Sequence, residues 1–583
     1  MKSVQHIRRR ALLSDPDLLP SALHPVLRRV YAARGISDAG QLAFGLTELQ
    51  RAEALTNLGL AASLLADACM QGRRILIVGD FDADGATSSA LAVLAFRAMG
   101  ADHVDYLVPN RFEYGYGLTP EIVTVALERR PDIIVTVDNG ISSLDGVLAA
   151  RQAGVDVVIT DHHLPGPVLP AADAIVNPNL PDDDFPSKCL AGVGVIFYVL
   201  AGTRAELRRR GWFAARAGGE PRLADLLDLV ALGTVADVVP LDYNNRILVA
   251  NGLSRIRQGQ CRPGIVALLA IAGRDHRRTV ASDLGFTVAP RLNAAGRLDD
   301  MSLGIACLLA DDDESARRLA AELDALNRER REIESGMKAE ALATVDRWAQ
   351  PGNAELPYGL CLFDENWHPG VIGIVAARVR EHVNRPVIVF APDQDDWLKG
   401  SARSISGVHI RDVLDSLASR HPELLAKFGG HAMAAGLSIR RRNLGAFREA
   451  LDAELRRSVD PARFEGMLLS DGEIDPADMT LALADEIREG GPWGQGFPEP
   501  LFDGEFRVHS HRVVGEDHLK LAVSPVAGGS TIDAIAFRQA GAWQQGVPDI
   551  LRLVYRYDVN LFRGDRQSQL VCDFMAPAEG SNP

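Results

Sequence analysis

The chain has 583 residues, 47% hydrophobic and 24% charged, and its 62 basic and 77 acidic side chains leave a net charge of -15. That length exceeds one core and predicts three or four domains of ordinary globular composition. No apolar run approaches a membrane span, Arg8-Arg9-Arg10 has no apolar stretch behind it, and the six cysteines form no C-x-x-C pair. A membrane anchor, a secretory signal, a disulfide framework and a thiolate zinc site are therefore not expected, and a cytoplasmic protein is. The acidic balance argues only weakly against a nucleic-acid partner, because a metal site gathers acids and basic residues can be grouped locally.

Residues 1–50 read as a helical packing extension, with apolar positions at Leu18, Leu19, Leu23, Leu27, Val30 and Tyr31. From 51 to about 160, strand and helix patterns alternate. The apolar run from Arg74 to Gly79 predicts a buried parallel strand, followed by Asp80-Phe81-Asp82-Ala83-Asp84-Gly85 and a helix over 86–99. Strands are then expected at 104–108, 133–137 and 155–160, with helices at 120–129 and 143–153 between them. This rhythm implies a parallel sheet with right-handed crossovers, whose ligand sites lie beyond the carboxyl ends of the strands. Those ends carry Asp80, Asp82 and Asp84, then Asp138 in Val-Asp-Asn-Gly, then Asp161-His162-His163.

Three carboxylates at alternate positions of one turn repel one another unless a cation sits among them. An EF-hand loop opens with the same letters but needs a preceding helix and a Glu at its twelfth position; here a strand precedes and Leu91 stands twelfth. A solvated acidic turn that caps the next helix is the bland alternative. Three such strand ends in succession argue against it. Asp237, which ends the apolar segment 226–236 in Gly-Thr-Val-Ala-Asp, is a further candidate. Carboxylates and imidazoles without thiolates suit Mn²⁺ or Mg²⁺ better than Fe or Zn. A carboxylate shared by two ions places them roughly 3.5–4 Å apart, the arrangement used for in-line phosphoryl displacement, so phosphate ester hydrolysis is the expected chemistry. Neither a P-loop nor a dinucleotide fingerprint is present.

Gly79-Asp-Phe-Asp-Ala-Asp-Gly85, Val137-Asp-Asn-Gly140, Asp161-His162-His163 and Gly233-Thr-Val-Ala-Asp237 resemble the four motifs of the DHH phosphoesterase superfamily. Phe428-Gly-Gly-His-Ala-Met-Ala-Ala-Gly436 resembles the signature of its companion DHHA1 domain. Order, spacing and a C-terminal extension are most similar to the bacterial single-strand-specific exonucleases that work from the 5′ end, and the resemblance covers the chain after residue 50. It implies that Asp82, Asp84, Asp138, His162 and Asp237 hold two ions, Mn²⁺ or Mg²⁺, with Asp138 bridging. Asp80 then ligates weakly or orients a water, since relatives often place a His upstream where this chain has Ile77-Val78. Asp161 is implied to fix an imidazole tautomer, and His163 to contact the scissile phosphate or donate a proton to the leaving oxygen. Arg111 and Tyr114, on a glycine-rich loop after a strand, and Arg291, Asn293 and Arg297, around a turn, are implied to contact DNA. Surface loops with ordinary salt bridges are the less favoured alternative for both segments.

From Asp311 to about Trp348 a helix is expected, with Leu319, Leu323, Leu326, Ile333 and Met337 on a seam into which Arg330 intrudes. The seam is short, so packing along its own protein is favoured over a coiled-coil partner. Pro351-Gly352 ends it, making a spacer between two lobes with room for a threaded strand. The second lobe opens with a strand over 358–363 and carries His368 before a helix, a basic, hydroxyl-rich turn from Lys399 to Ser406, and Gly429-Gly430-His431. Helix N-termini, hydroxyls and Arg form an anion-binding set. The resemblance implies recognition of the substrate's terminal phosphate, with Arg403, Ser404 and His431 leading and His368 beside them.

Beyond 465, alternation at Leu519, Leu521 and Val523, and at Leu551, Leu553, Tyr555 and Tyr557, predicts a small antiparallel barrel. The resemblance makes it an OB-fold that binds single strands; from the pattern alone an SH3-like barrel fits as well. The expected architecture is α/β and multi-domain. It comprises a helical extension (1–50), a parallel-sheet DHH catalytic domain (51–305), a connecting helix (306–350), an α/β DHHA1 domain (351–462) and the OB-fold-like barrel (463–583). Two other functions stay open: a DHH phosphoesterase acting on short oligonucleotides or cyclic dinucleotides, and a catalytically dead scaffold at the replication fork. Every motif acid is present, which disfavours the scaffold. The implied partners are single-stranded DNA and, by resemblance, single-stranded-DNA-binding protein and a RecQ-type helicase, for a monomer with no membrane contact.

Overall fold

The computed structural model describes residues 5–110, 114, 116–214, 216, 218–349, 356–515, 517–543, 546–562 and 565–578. The chain divides into two units, one of residues 9–324 and 470–583 and a smaller one of 1–8 and 325–469.

The larger unit is built on a five-stranded parallel sheet of β1 (Ile75–Gly79), β2 (Val104–Leu107), β3 (Ile133–Val137), β4 (Asp156–Thr160) and β5 (Ala174–Val176), in the order β2-β1-β3-β4-β5. Every residue of β1 and β3 is buried, as expected of continuous apolar strands covered on both faces. Register aligns the functional ends: Gly79 pairs with Val137, Val137 with Thr160, and Thr160 with Val176. The residues that follow these rungs, Asp80, Asp138 and Asp161, therefore emerge side by side on one edge.

The helix Ala83–Met99 starts directly on the acidic turn and is buried along almost its whole length. Its Ala, Ser and Thr side chains let it pack closely against the helices Gly192–Arg209 and Leu227–Ala236. The same unit holds a closed barrel of β11 (Phe502–Val514), β12 (His518–Pro525), β13 (Ile532–Ala536), β14 (Ile550–Phe562) and β15 (Asp565–Pro577), in the order β11-β12-β13-β15-β14. β13 and β15 pair in parallel and the other neighbours antiparallel. Closure through that one parallel pair is OB-fold topology and decides against the SH3-like alternative. Leu519, Leu521, Val523, Leu551, Leu553, Tyr555 and Tyr557 are all buried in the barrel.

The extension before residue 50 is less helical than expected. Among its described residues the one α-helix is Pro25–Ala32, joined by the strand Gln5–Arg9 and by short 3₁₀ turns, because Pro16, Pro20, Gly35, Gly40 and Gly45 interrupt longer hydrogen-bonded runs. Leu18 is exposed, whereas Leu19, Leu27, Val30 and Tyr31 are buried. Tyr31 stacks on Trp493 at 5.8 Å, Trp493 on Phe497 at 5.1 Å, and the Arg246 guanidinium lies 4.3 Å over Phe497. Arg34 forms a fork with Asp471 at 2.9 and 3.1 Å, with both side chains buried. The extension thus packs the segment leading into the barrel against helices of the parallel-sheet domain.

The smaller unit has a mixed sheet of β6 (Leu360–Phe363), β7 (Val387–Pro392), β8 (Trp397–Arg403), β9 (Lys427–Gly430) and β10 (Ala434–Arg440), in the order β9-β10-β8-β7-β6. β6 and β7 are parallel and the others antiparallel. Residues expected in a hydroxyl-rich turn, Lys399 to Arg403, are the end of β8 instead; alternate burial along Trp397–Arg403 shows a period of two that charged side chains masked in the sequence. The long helix runs from Asp313 to Trp348. In this unit Met337, Ala341 and Val345 pack on Leu360, Val371 and Val375, so its apolar face is covered by its own chain. No helix among the described residues is long and apolar enough to cross a membrane.

Candidate active site

The centre forms where β1, β3 and β4 end. Asp82 caps the helix Ala83–Met99, accepting from the backbone N–H of Asp84 at 2.9 Å and of Gly85 at 3.1 Å. Asp84, fully buried, is held from the far side: its Oδ2 accepts from Gly192 N at 2.6 Å and its Oδ1 from Val193 N at 3.0 Å, the first N–H groups of the helix Gly192–Arg209. Asp138 has left-handed backbone, φ +61°, which turns its carboxylate back toward the sheet edge. Asn139 fixes that turn by donating to Val78 O at 3.0 Å and Val137 O at 2.9 Å. Gly140 completes it at φ +113°, where a Cβ would lie 2.5 Å from Thr136 Oγ1.

Potential ligand atoms gather in overlapping sets, each within 4.8 Å: Asp80, Asp82 and Asp138; Asp84, His162 and Asp237; Asp138, His162 and His163. Asp138 and His162 each belong to two sets. Nε2 of His162 lies 3.1 Å from Asp138 Oδ1 and 3.5 Å from Asp237 Oδ2. Yet His162 Nε2 and Asp138 Oδ1 are buried atoms with no properly aligned hydrogen bond among the described residues. They are directed at a shared point rather than at each other.

The electrostatics agree. Burial, then repulsion from Asp82, pushes the Asp84 carboxyl up to about 7, and burial with neighbouring carboxylates pushes Asp138 and Asp237 well above the usual range. Burial, helped by the charge on His163, lowers His162 to about 4 and keeps it the neutral imidazole a metal requires. An acid cluster that resists ionisation alone, beside a neutral imidazole and no thiolate, fits hard divalent cations of the Mn²⁺ or Mg²⁺ type.

Asp161 stands behind this group. Its Oδ2 accepts from Ile141 N at 2.9 Å, and its Oδ1 from His162 N at 2.7 Å, His163 N at 3.1 Å and His163 Nδ1 at 2.7 Å. Burial would raise this carboxyl, but the bond and charge of His163 outweigh it and bring it below its ordinary value. Conversely, burial disfavours the His163 cation, while the Asp161 bond and surrounding acids overcome that and lift it to about 9. His163, half-exposed, is thus a cation at neutral pH at the rim of the centre. Tyr116 lies over it: its hydroxyl donates to Asp138 O at 3.4 Å and stands 3.4 Å from His163 Nδ1.

In the smaller unit, Arg403 Nη1 donates to Ser401 Oγ at 3.0 Å and Ala402 O at 2.8 Å. Among the described residues it has no carboxylate partner within ion-pair distance, and burial, then the charge of Arg380, disfavours its cation. It reaches across the first turn of the helix Ile372–Val383, where a Cβ on Gly373 would lie 2.8 Å from Arg403 Nη2. A guanidinium without a carboxylate partner, set beside a helix N-terminus, is a place for an anion.

Family models match residues 74–234 (DHH family, N-terminal domain), 356–457 (DHHA1 domain) and 470–573 (RecJ OB domain). The single-stranded-DNA-specific exonuclease RecJ of Escherichia coli K12 is 52% identical over 578 residues, covering 99% of this chain and 100% of that protein. This chain belongs to the RecJ family. The RecJ of Haemophilus influenzae is 49% identical over 562 residues, 95% of this chain and 97% of that protein. Among solved structures, RecJ from Thermus thermophilus in complex with Mn²⁺ matches with a TM-score of 0.78 at 30% identity, covering 96% of this chain and 77% of that one. A second RecJ structure bound to manganese matches with a TM-score of 0.57 at 37% identity over 70% of this chain and 97% of that one.

Within this RecJ-family fold, the structure brings Asp80, Asp82, Asp84, Asp138, His162, His163 and Asp237 together and sets Asp161 behind them. Arg111 lies outside the described residues. Tyr114 packs against the core beneath the sheet, and Tyr116, which sequence reasoning passed over, is the ring at the centre; the repeat Tyr-Gly-Tyr was the available signal. Arg291, Asn293 and Arg297 lie on the helix Ala289–Leu298, not around a turn. Arg291 is paired with Asp324 at 2.9 Å, and Asn293 Oδ1 accepts from Ala83 N at 2.8 Å. Asn293 thus buttresses the metal loop, Arg291 ties its helix to the start of the long helix, and Arg297 is half-buried on the same helix. In the smaller unit His368 Nδ1 accepts from Gly370 N at 3.1 Å at the approach to the helix, and His431 is exposed in the turn between β9 and β10. Ser404 is fully buried, and its hydroxyl donates to Val408 O at 2.6 Å. Ser401 rather than Ser404 therefore touches Arg403.

Proposed function

We propose that this protein is a single-stranded-DNA-specific exonuclease that hydrolyses phosphodiester bonds from the 5′ end and releases mononucleotides, with two Mn²⁺ or Mg²⁺ ions as cofactors. The observation that carries this is the alignment of Asp80, Asp138 and Asp161 on adjacent rungs, with Asp82, Asp84, His162 and Asp237 closing around the same point in a chain of the RecJ family. In this reading Asp80, Asp82 and Asp138 hold one ion and Asp84, His162 and Asp237 the other, with Asp138 shared. The ions supply water activation and charge neutralisation for in-line displacement. His163, held protonated by Asp161, contacts the scissile phosphate and gives a proton to the leaving oxygen. Tyr116 keeps that imidazole in place.

The 5′ selectivity rests on Arg403, beside the N-terminus of the helix Ile372–Val383 in the smaller unit, which would take the terminal phosphate. The barrel adds a non-specific hold on the strand. The wider setting in the proposal is cytoplasmic DNA repair and recombination, with strands supplied by a RecQ-type helicase and single-stranded-DNA-binding protein.

Single strands labelled at either end, incubated with Mn²⁺, with chelator, or with Asp84→Ala protein, test it. Loss of 5′ label as mononucleotide in the first condition only is expected. Degradation from the 3′ end, or faster cleavage of cyclic dinucleotides, would overturn it.

A further inference from the structure

Phe286 is 86% exposed, the most exposed large apolar side chain among the described residues. It lies in a π-helical turn, Leu284–Val288, that runs straight into the helix Ala289–Leu298. Such wide turns are rare and recur at functional sites. Leu284 and Val288 are buried and pin the turn, so the ring projects from a fixed base.

Two contacts locate that base. A Cβ on Gly285 would lie 3.2 Å from Val235 Cγ1 and 3.7 Å from Val235 O, and the same carbonyl accepts from Val238 N at 3.3 Å. Phe286 therefore adjoins the helix end that presents Asp237 to the metal centre. Val238 is itself unusual: 62% exposed, and β-branched with φ +61°, a conformation such residues seldom adopt. Downstream, the helix that follows Phe286 is docked on the acidic turn through Asn293 and Ala83 N, and through Gly296, whose Cβ would strike Phe81 O. Seven residues at helical rise place the Phe286 backbone about 10 Å from that contact. Scattered surface hydrophobes are ordinary. Two on touching turns, each on irregular backbone, with Val238 directly after a metal-ligating acid, are a feature.

We infer that Phe286, with Val238 beside it, is an apolar lip on which a base of the single strand stacks as its phosphodiester reaches the metal centre. The inference rests on the nuclease reading and deepens it. Stacking on a ring is open to any unpaired base and closed to bases held in a duplex, so the lip contributes to single-strand preference without reading sequence.

The test uses the full chain with two oligonucleotides, one natural and one with abasic sites through the segment nearest the scissile bond. Affinity is read by fluorescence anisotropy in chelator, and kcat and KM in Mn²⁺. Phe286→Ala should weaken binding and raise KM about tenfold to hundredfold on the natural strand, leave the abasic strand unchanged, and be rescued by Phe286→Trp. Equal affinity of Phe286→Ala and parent for the natural strand would overturn the inference, as would equal losses on both strands. The anisotropy arm reads the lip even if the parent cleaves neither strand, an outcome that would overturn the nuclease reading alone.

Discussion

Gly192→Ala adds one methyl group to the larger unit and aims it at the metal centre. The new Cβ would lie 2.5 Å from Asp138 Cβ, 2.7 Å from Oδ1 and 2.8 Å from Cγ. Comfortable contact begins near 3.5 Å, so something must move by roughly 1 Å. The Asp138 backbone cannot yield easily, because its N–H is bonded to Thr160 O at 3.1 Å and its φ is fixed at +61°. The carboxylate moves instead. The Gly192 N–H to Asp84 survives the substitution, so the perturbation is confined to Asp138.

Overpacking costs about 1–3 kcal/mol, and the better helix propensity of Ala returns up to about 1 kcal/mol. The net loss of about 0–3 kcal/mol lowers Tm by at most about 12 °C. A displaced ligand costs far more in function: about 10- to 100-fold in metal affinity and about 100-fold in kcat, with KM for the strand little changed. Calorimetric Mn²⁺ titration, steady-state cleavage and a thermal melt read the three quantities. A Gly192→Ala protein that melts at a lower temperature but binds Mn²⁺ and turns over like the parent would refute the placement of Asp138 at the centre.

Asp138→Asn should raise the Tm of metal-free protein, since burial and neighbouring acids make the ionised Asp138 costlier folded than unfolded, and Asn tolerates φ +61° at least as well. It should abolish the stabilisation of about 2.7 kcal/mol that Mn²⁺ at 100 times its Kd gives the parent; a lower metal-free Tm contradicts this. In metal-free protein His163 should titrate near 9 by NMR, its stabilising contribution complete below 6.5 and lost as pH rises through about 9. Asp161→Asn leaves burial opposed only by Asp237 and Asp80 and should lower that titration, whereas an unmoved value would show that Asp161 is not its cause. Arg403→Met should remove preference for 5′-phosphate over 5′-hydroxyl ends, raising KM about 10- to 100-fold on the phosphorylated strand only; an unchanged ratio places phosphate recognition elsewhere.

The centre was legible from sequence because parallel strands announce themselves as apolar runs and their carboxyl ends are where ligands collect. Asp80, Asp138 and Asp161 could be placed on one edge before the register of Gly79, Val137 and Thr160 was known. The barrel was legible as alternation, but its closure through β13 and β15 was not, because strand order leaves no local mark. What misled was chemistry judged by residue type alone. Ser404 and Arg291 look like phosphate ligands, yet a backbone carbonyl takes one and Asp324 the other. Tyr114 and Tyr116 are equivalent on paper, and only the turn decides which ring faces the core. Phe286 was invisible because a π-helical turn has no period of its own.

Anomalous diffraction from crystals of the full chain soaked in Mn²⁺ tests the central claim most directly. Two peaks roughly 3.5–4 Å apart are expected, both in contact with Asp138 and flanked by Asp82 on one side and by His162 and Asp237 on the other. No peak at the carboxyl ends of β1, β3 and β4, or a single ion that leaves Asp138 outside its coordination sphere, would contradict the account.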